Sequence, residues 1–206
     1  MDPFAPSPVR SVPFDVYTSA YRVSGQLATR FSRVGDIVNL QTSTHLAIEQ
    51  ATVSEYADPT ATLGAMRVLV SVDDVLFVIA GDTERGARPE MRVPKRAVRA
   101  QLAVPPFRLT GSVHVTQGSR PVDGILNAAD RFMTMTEVTV VSGTHPELGR
   151  TAEAVAIQRR LAQLIMVTDD ERPDELLAEV LDRDTAERWL NRGPEGADAG
   201  DAAREG

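Results

Sequence analysis

Apolar residues recur at every second position in short runs along this chain. That spacing puts one side of a β-strand in a core and the other outside. Residues 21–30 form the first such run. Leu46 and Ile48 then share one parity, and Ala51 and Val53 the other, so the pattern predicts a strand that slips phase near Glu49. The same slip, near Thr136, separates Met133 and Met135 from Val138 and Val140. A strand changes phase and keeps its apolar side inward when it carries a β-bulge. Residues 66–72 and 75–80 are rich in β-branched side chains and flank Asp73-Asp74, which predicts a hairpin. Residues 154–158 and 161–168, on either side of Arg159-Arg160, predict a second one. Ala152, Ala154, Ala156, Leu161 and Gln163 would also suit a helix, but Ala156 and Ile157 hold the places of Leu69 and Val70, which decides for a strand.

Those correspondences belong to a repeat. Tyr21-Arg22-Val23-Ser24-Gly25-Gln26-Leu27 reads against Phe107-Arg108-Leu109-Thr110-Gly111-Ser112-Val113, and Val68-Leu69-Val70 against Val155-Ala156-Ile157, at offsets of 86 and 87 residues. Gly25 and Gly111 fall inside strands, where glycine marks a bend or a close backbone approach. After the first strand of each copy, Arg33-Val34-Gly35-Asp36-Ile37-Val38-Asn39 matches Arg120-Pro121-Val122-Asp123-Gly124-Ile125-Leu126-Asn127, with one residue inserted. This segment suits a short capped helical turn. Each copy then has about four strands in ~65 residues, a core that is marginal alone. Two copies packed together would bury a common face.

The expected fold is mainly β: two tandem small antiparallel β units, as a sandwich or small barrels, with a C-terminal amphipathic helix. Residues 1–15 read as a flexible lead-in with prolines at 3, 6, 8 and 13 and no apolar signal segment. Residues 16–83 form the first unit, 84–104 a basic linker, 105–170 the second unit, 171–192 a helical segment and 193–206 a disordered acidic tail. Leu177, Leu181 and Trp189 lie on the apolar stripe of the helical segment, which covers a sheet face or docks on a partner.

Charge sharpens this division. Residues 169–206 hold 13 acidic and 5 basic residues; of the chain's 29 acidic and 22 basic residues, 16 and 17 remain for residues 1–168. The net charge of −7 therefore belongs to the tail. The chain has no cysteine, which excludes disulfides, thiolate metal sites and cysteine nucleophiles. No run approaches the roughly 18 apolar residues that span a bilayer. A cytoplasmic location is expected.

Little chemistry emerges. His45, His114 and His145 align with Phe132, Ala28 and Asp58, so none is repeated, and none has metal-ligand spacing. Asp73-Asp74 and Asp169-Asp170-Glu171 lack the alternation of a calcium loop. Nucleophile elbows and phosphate-binding glycine loops are missing. No catalytic residue, cofactor or metal is expected. The repeated Arg33 and Asp36, with Arg120 and Asp123, read as a paired ligand or partner site or as a structural Arg–Asp contact; Asn39 and Asn127 read as backbone partners in the same loop. Arg92, Lys95, Arg96 and Arg99 lie in the basic linker, which could contact phosphates, pair with the acidic tail or stay solvated. It lacks the interleaved aromatics of a single-strand binder.

Arg120, Asp123 and Asn127, then Arg131-Phe132, Met135-Thr136, Val138 and Val140, then Ala154-Val155-Ala156-Ile157 before a basic tip, together resemble a family of small uncharacterised prokaryotic β-domains. The resemblance covers residues 107–168 well and 21–82 less well, since His45 stands for Phe132 and Ala51 for Val138. It implies a fold and no activity. The order strand, glycine, strand, with Asp36 and Asn39 between, is faintly similar to Sm-like barrels. The expected function is a non-enzymatic, self-assembling interaction or scaffold protein. The alternative is an Sm-like nucleic-acid-binding module that uses the basic linker. Specialised function is expected where the copies differ, at Asp73-Asp74 against Arg159-Arg160 above all.

Overall fold

Ten strands form one antiparallel sheet in the computed structural model, which describes residues 8–81 and 95–168. The first half contains β1 (Arg10–Tyr17), β2 (Tyr21–Thr29), the short helix α1 (Val34–Asn39), β3 (His45–Glu55), β4 (Thr62–Ser71), a 3-10 turn (Val72–Asp74) and β5 (Phe77–Ala80). The second half repeats the series as β6 (Lys95–Val104), β7 (Phe107–Thr116), α2 (Pro121–Leu126), β8 (Phe132–Ser142), β9 (Arg150–Gln158), a 3-10 turn (Arg159–Leu161) and β10 (Leu164–Thr168). The spatial order is β10-β6-β7-β8-β9-β5-β1-β2-β3-β4. Each half thus runs fifth, first, second, third, fourth strand. The halves meet where β5 pairs with β9.

Two sequence boundaries move. Residues 10–15, placed in the flexible lead-in, belong to β1, with Val12, Phe14 and Val16 all buried. Pro13 is tolerated there because the side on which it lacks an N–H faces past the end of β5: its carbonyl accepts from Gly81 N–H at 2.8 Å, one residue beyond the last β1–β5 pair at Ala80. Residues 95–104, placed in the basic linker, are β6, the counterpart of β1, with Val98, Ala100, Leu102 and Val104 turned inward. Each half therefore has five strands rather than four.

Both predicted hairpins are absent. β4 pairs only with β3, and β5 crosses to lie between β1 and β9. β9 and β10 likewise do not pair; β10 lies on β6. The 3-10 turns redirect the chain instead of reversing it. For β5 this position brings burial on both faces. Val75, Leu76, Phe77, Val78 and Ile79 are all buried, because β5 has a core on each side. Phe77 and Ile79 join one cluster with Leu109, Met135 and Ile157, whereas Val78 joins another with Phe14, Val16 and Ile48. An unbroken apolar run marks a strand buried on both faces. The predicted helical segment and tail (171–192, 193–206) lie outside the described residues.

The predicted bulges are present in both halves. Ser24 and Gln26 pair with Thr52 and Glu49; Thr110 and Ser112 pair with Thr139 and Thr136. One extra residue on β3 and on β8 is accommodated, at Gln50 (φ 48°) and Glu137 (φ 53°). Gly25 and Gly111 sit opposite these bulges. A Cβ at Gly25 would lie 2.6 Å from the Glu49 carbonyl oxygen, and one at Gly111 2.8 Å from that of Thr136.

Candidate functional site

The densest polar chemistry lies where the halves join. α1 packs against β8 and β9 of the other half. Its last residue, Asn39, donates from Nδ2 to the Phe132 carbonyl at 2.9 Å and accepts the Phe132 N–H on Oδ1 at 2.8 Å. The Phe132 ring is buried in the first half's core.

A second group spans the join. Arg150 on β9 donates from Nη1 to Asp15 Oδ2 at 2.6 Å and to the Tyr17 hydroxyl at 2.9 Å, and Arg22 Nη2 lies 3.2 Å from Asp15 Oδ1. Burial alone would raise the Asp15 pKa, but the Ser24 hydroxyl and the charges of Arg22 and Arg150 outweigh it and hold the carboxyl below its usual range. Burial opposes the charge on Arg150 too, and Tyr17 and Asp15 overcome it, so its pKa stands above the ordinary value. The Tyr17 ring stacks on Phe77 at 4.4 Å between centroids, and Phe107 meets both edge-on. Tyr56 donates its hydroxyl to the Tyr21 carbonyl at 2.8 Å; burial, then neighbouring Tyr17, push its phenol upward.

The third group involves the 3-10 turns at Val72–Asp74 and Arg159–Leu161. Asp73 forms ion pairs with Arg131 and, at 3.3 Å, with Arg160, while Gln158 Nε2 donates to its carbonyl at 2.9 Å. Arg159 donates to the carbonyls of Ile125, Leu126 and Ala128 and so holds the end of α2. The acid-for-base difference is thus a contact between the halves.

The loop candidates serve the backbone. Arg33 and Arg120 are the extended residues before the helices, and the carbonyls of Asp36 and Asp123 accept the N–H of Leu40 and Asn127. Among the described residues, no ion pair joins Arg33 to Asp36. Matching helix bounds make Asn39 equivalent to Leu126, so exposed Asn127 stands one position later than the aligned sequences imply. Among the basic candidates, Lys95 and Arg99 share the exposed side of β6 and Arg96 has the opposite parity, half-buried. Period-two geometry splits the stripe that the nucleic-acid reading needs. Arg92, Leu177, Leu181 and Trp189 lie outside the described residues.

The sheet's outer strands expose apolar side chains: Leu63, Met66 and Leu69 on β4, Leu164 and Met166 on β10. Beside β4 lies an open depression of about 390 Å³, lined by the turn at residues 18–21, Val23, Val53, Val68–Ser71 and Asp74. Its apolar walls suit an aliphatic or aromatic side chain. No group of three or more potential metal ligands occurs among the described residues, and no described helix is long and apolar enough to cross a membrane. The sequence reading missed Asp15, Arg22 and Arg150, because paired charges on separate strands leave no local pattern. No family model matches the chain, and neither a curated protein nor a solved structure matches it.

Proposed function

We propose that this chain is a non-enzymatic protein-interaction or scaffold protein. It is built from a duplicated β unit, and its contact surface is the outer strand β4 with the depression beside it. The observation that carries this reading is the exposed Leu63 and Leu69 on one face of an outer strand, with exposed Met66 on the other, which leaves both backbone groups and apolar surface to be covered. Such edges bind added strands. The polar groups at the join make contacts between the halves, which supports a structural role for them. The cysteine-free composition fits a cytoplasmic setting.

A photoreactive side chain at position 66, introduced into the full chain in its native host, tests this. Protein adducts at that position are expected. Adducts to RNA or DNA alone, with salt-sensitive retention that depends on Lys95 and Arg99, would replace this reading with the nucleic-acid one.

A further inference from the structure

The internal junction joins the fifth strand of one half to the fourth strand of the other. The two ends of the sheet are the remaining fourth strand, β4, and the remaining fifth strand, β10. Register sets the equivalences residue by residue. Phe77 lies opposite Tyr17 as Leu164 lies opposite Ala103; Ile157 lies opposite Met133 as Val70 lies opposite Leu46. We propose that β10 of one copy adds to β4 of a second copy, antiparallel, with Leu164 opposite Val70, Ile165 opposite Leu69 and Met166 opposite Val68. This rests on the interaction reading above and names the partner as the chain itself.

The side chains left exposed are the ones this pairing would cover. Phe77 and Ile79 are buried in the neighbouring half's core, while Leu164 (59% exposed) and Met166 (42%) hold their places on β10. Ala156 is buried against the neighbouring half, and Leu69, 63% exposed, holds its place on β4. Phe107 is buried under the Phe77 ring at 5.1 Å. Its counterpart Tyr21 is 43% exposed and borders the depression. Leu164 of the next copy would enter there as Phe77 enters beside Phe107.

The helices agree. No side chain fits at Gly35 in α1, because a Cβ would meet Thr134 Oγ1. α2 carries exposed Val122 and Leu126 in place of Gly35 and Asn39, and β3 offers Ala47 in place of Thr134. A larger residue faces a smaller one at the same position. Arg160, in place of Asp73, would likewise face an Asp73. The contact joins unlike surfaces, so it propagates head to tail and closes into a ring or extends as a filament.

The chain has no native cysteine, so engineered thiols report the register without background. Full-length Leu69→Cys and Ile165→Cys chains, co-expressed and mildly oxidised, are expected to form a mixed disulfide dimer. Leu69→Cys with Leu164→Cys should not, because a one-residue offset turns the side chains to opposite faces. Light scattering should give a mass above the monomer for the parent chain and a monomer for Leu164→Lys, whose exposed site keeps the fold intact by circular dichroism. A monomeric parent chain, or disulfide homodimers of Leu69→Cys alone, would overturn the proposal. A monomer whose position 66 still captures a different protein in the host would overturn it while leaving the interaction reading in place.

Discussion

Asn39, at the end of α1, satisfies both backbone groups of Phe132, the first residue of β8, from 93 positions away. The pair joins the halves through the backbone, while the Phe132 ring fills the first half's core. A side-chain amide is suited to this, because it offers a donor and an acceptor with the spacing of a peptide group.

Asn39→Ala leaves a part-buried N–H and carbonyl without their partner. Urea unfolding is expected to show a loss of about 1–3 kcal/mol. Asn127→Ala, at the exposed position that the aligned sequences equate with it, should stay within about 0.5 kcal/mol of the parent. Equal losses in the two variants would refute the assignment of Asn39 as the clamp.

Gly25 and Gly64 separate crowding from flexibility. A Cβ at Gly25 would lie 2.6 Å from a backbone oxygen and 2.7 Å from Ile48 Cγ2, so Gly25→Ala forces the bulge apart. An overpacking cost of about 1–3 kcal/mol is expected from chemical denaturation. Nothing lies within 4 Å of the corresponding point at Gly64, and Gly64→Ala should be neutral or stabilise by about 0.4–1 kcal/mol.

Asp15 links stability to pH. Its folded pKa is depressed, so the unfolded chain takes up a proton more readily. The stabilisation is present above the unfolded value of about 4 and is lost as pH falls through the lower folded value. Thermal unfolding of Asp15→Asn should therefore lie below the parent at pH 7, and the gap should narrow below about pH 4. A gap that widens on acidification would contradict the assigned sign.

Legibility followed the range of each interaction. The phase slip near Glu49 and Thr136 was readable because a bulge shifts parity within one strand. The tip at Asp73-Asp74 resembles a hairpin in sequence, because two short apolar runs flank a polar pair. It lacks the glycine or asparagine at positive φ that a two-residue hairpin favours. Pro13 concealed β1, since proline signals loops unless its missing N–H points beyond the neighbouring strand. Asn39 suits a local backbone contact in its own loop by sequence, whereas its partner, Phe132, lies on the other half's β8.

The sequence by itself determined the mainly β composition and the two bulges, because each depends on the parity of residues within a strand. Tertiary structure decided which strands pair and where the cores lie. The fifth strand lies on the first strand in both halves, but only β5 is also flanked by the other half, at β9, so only its unbroken apolar run is buried on both faces, while β10 keeps Leu164 and Met166 exposed. The same choice leaves β4 and β10 at the ends of the sheet, with the apolar side chains that its own interior covers elsewhere.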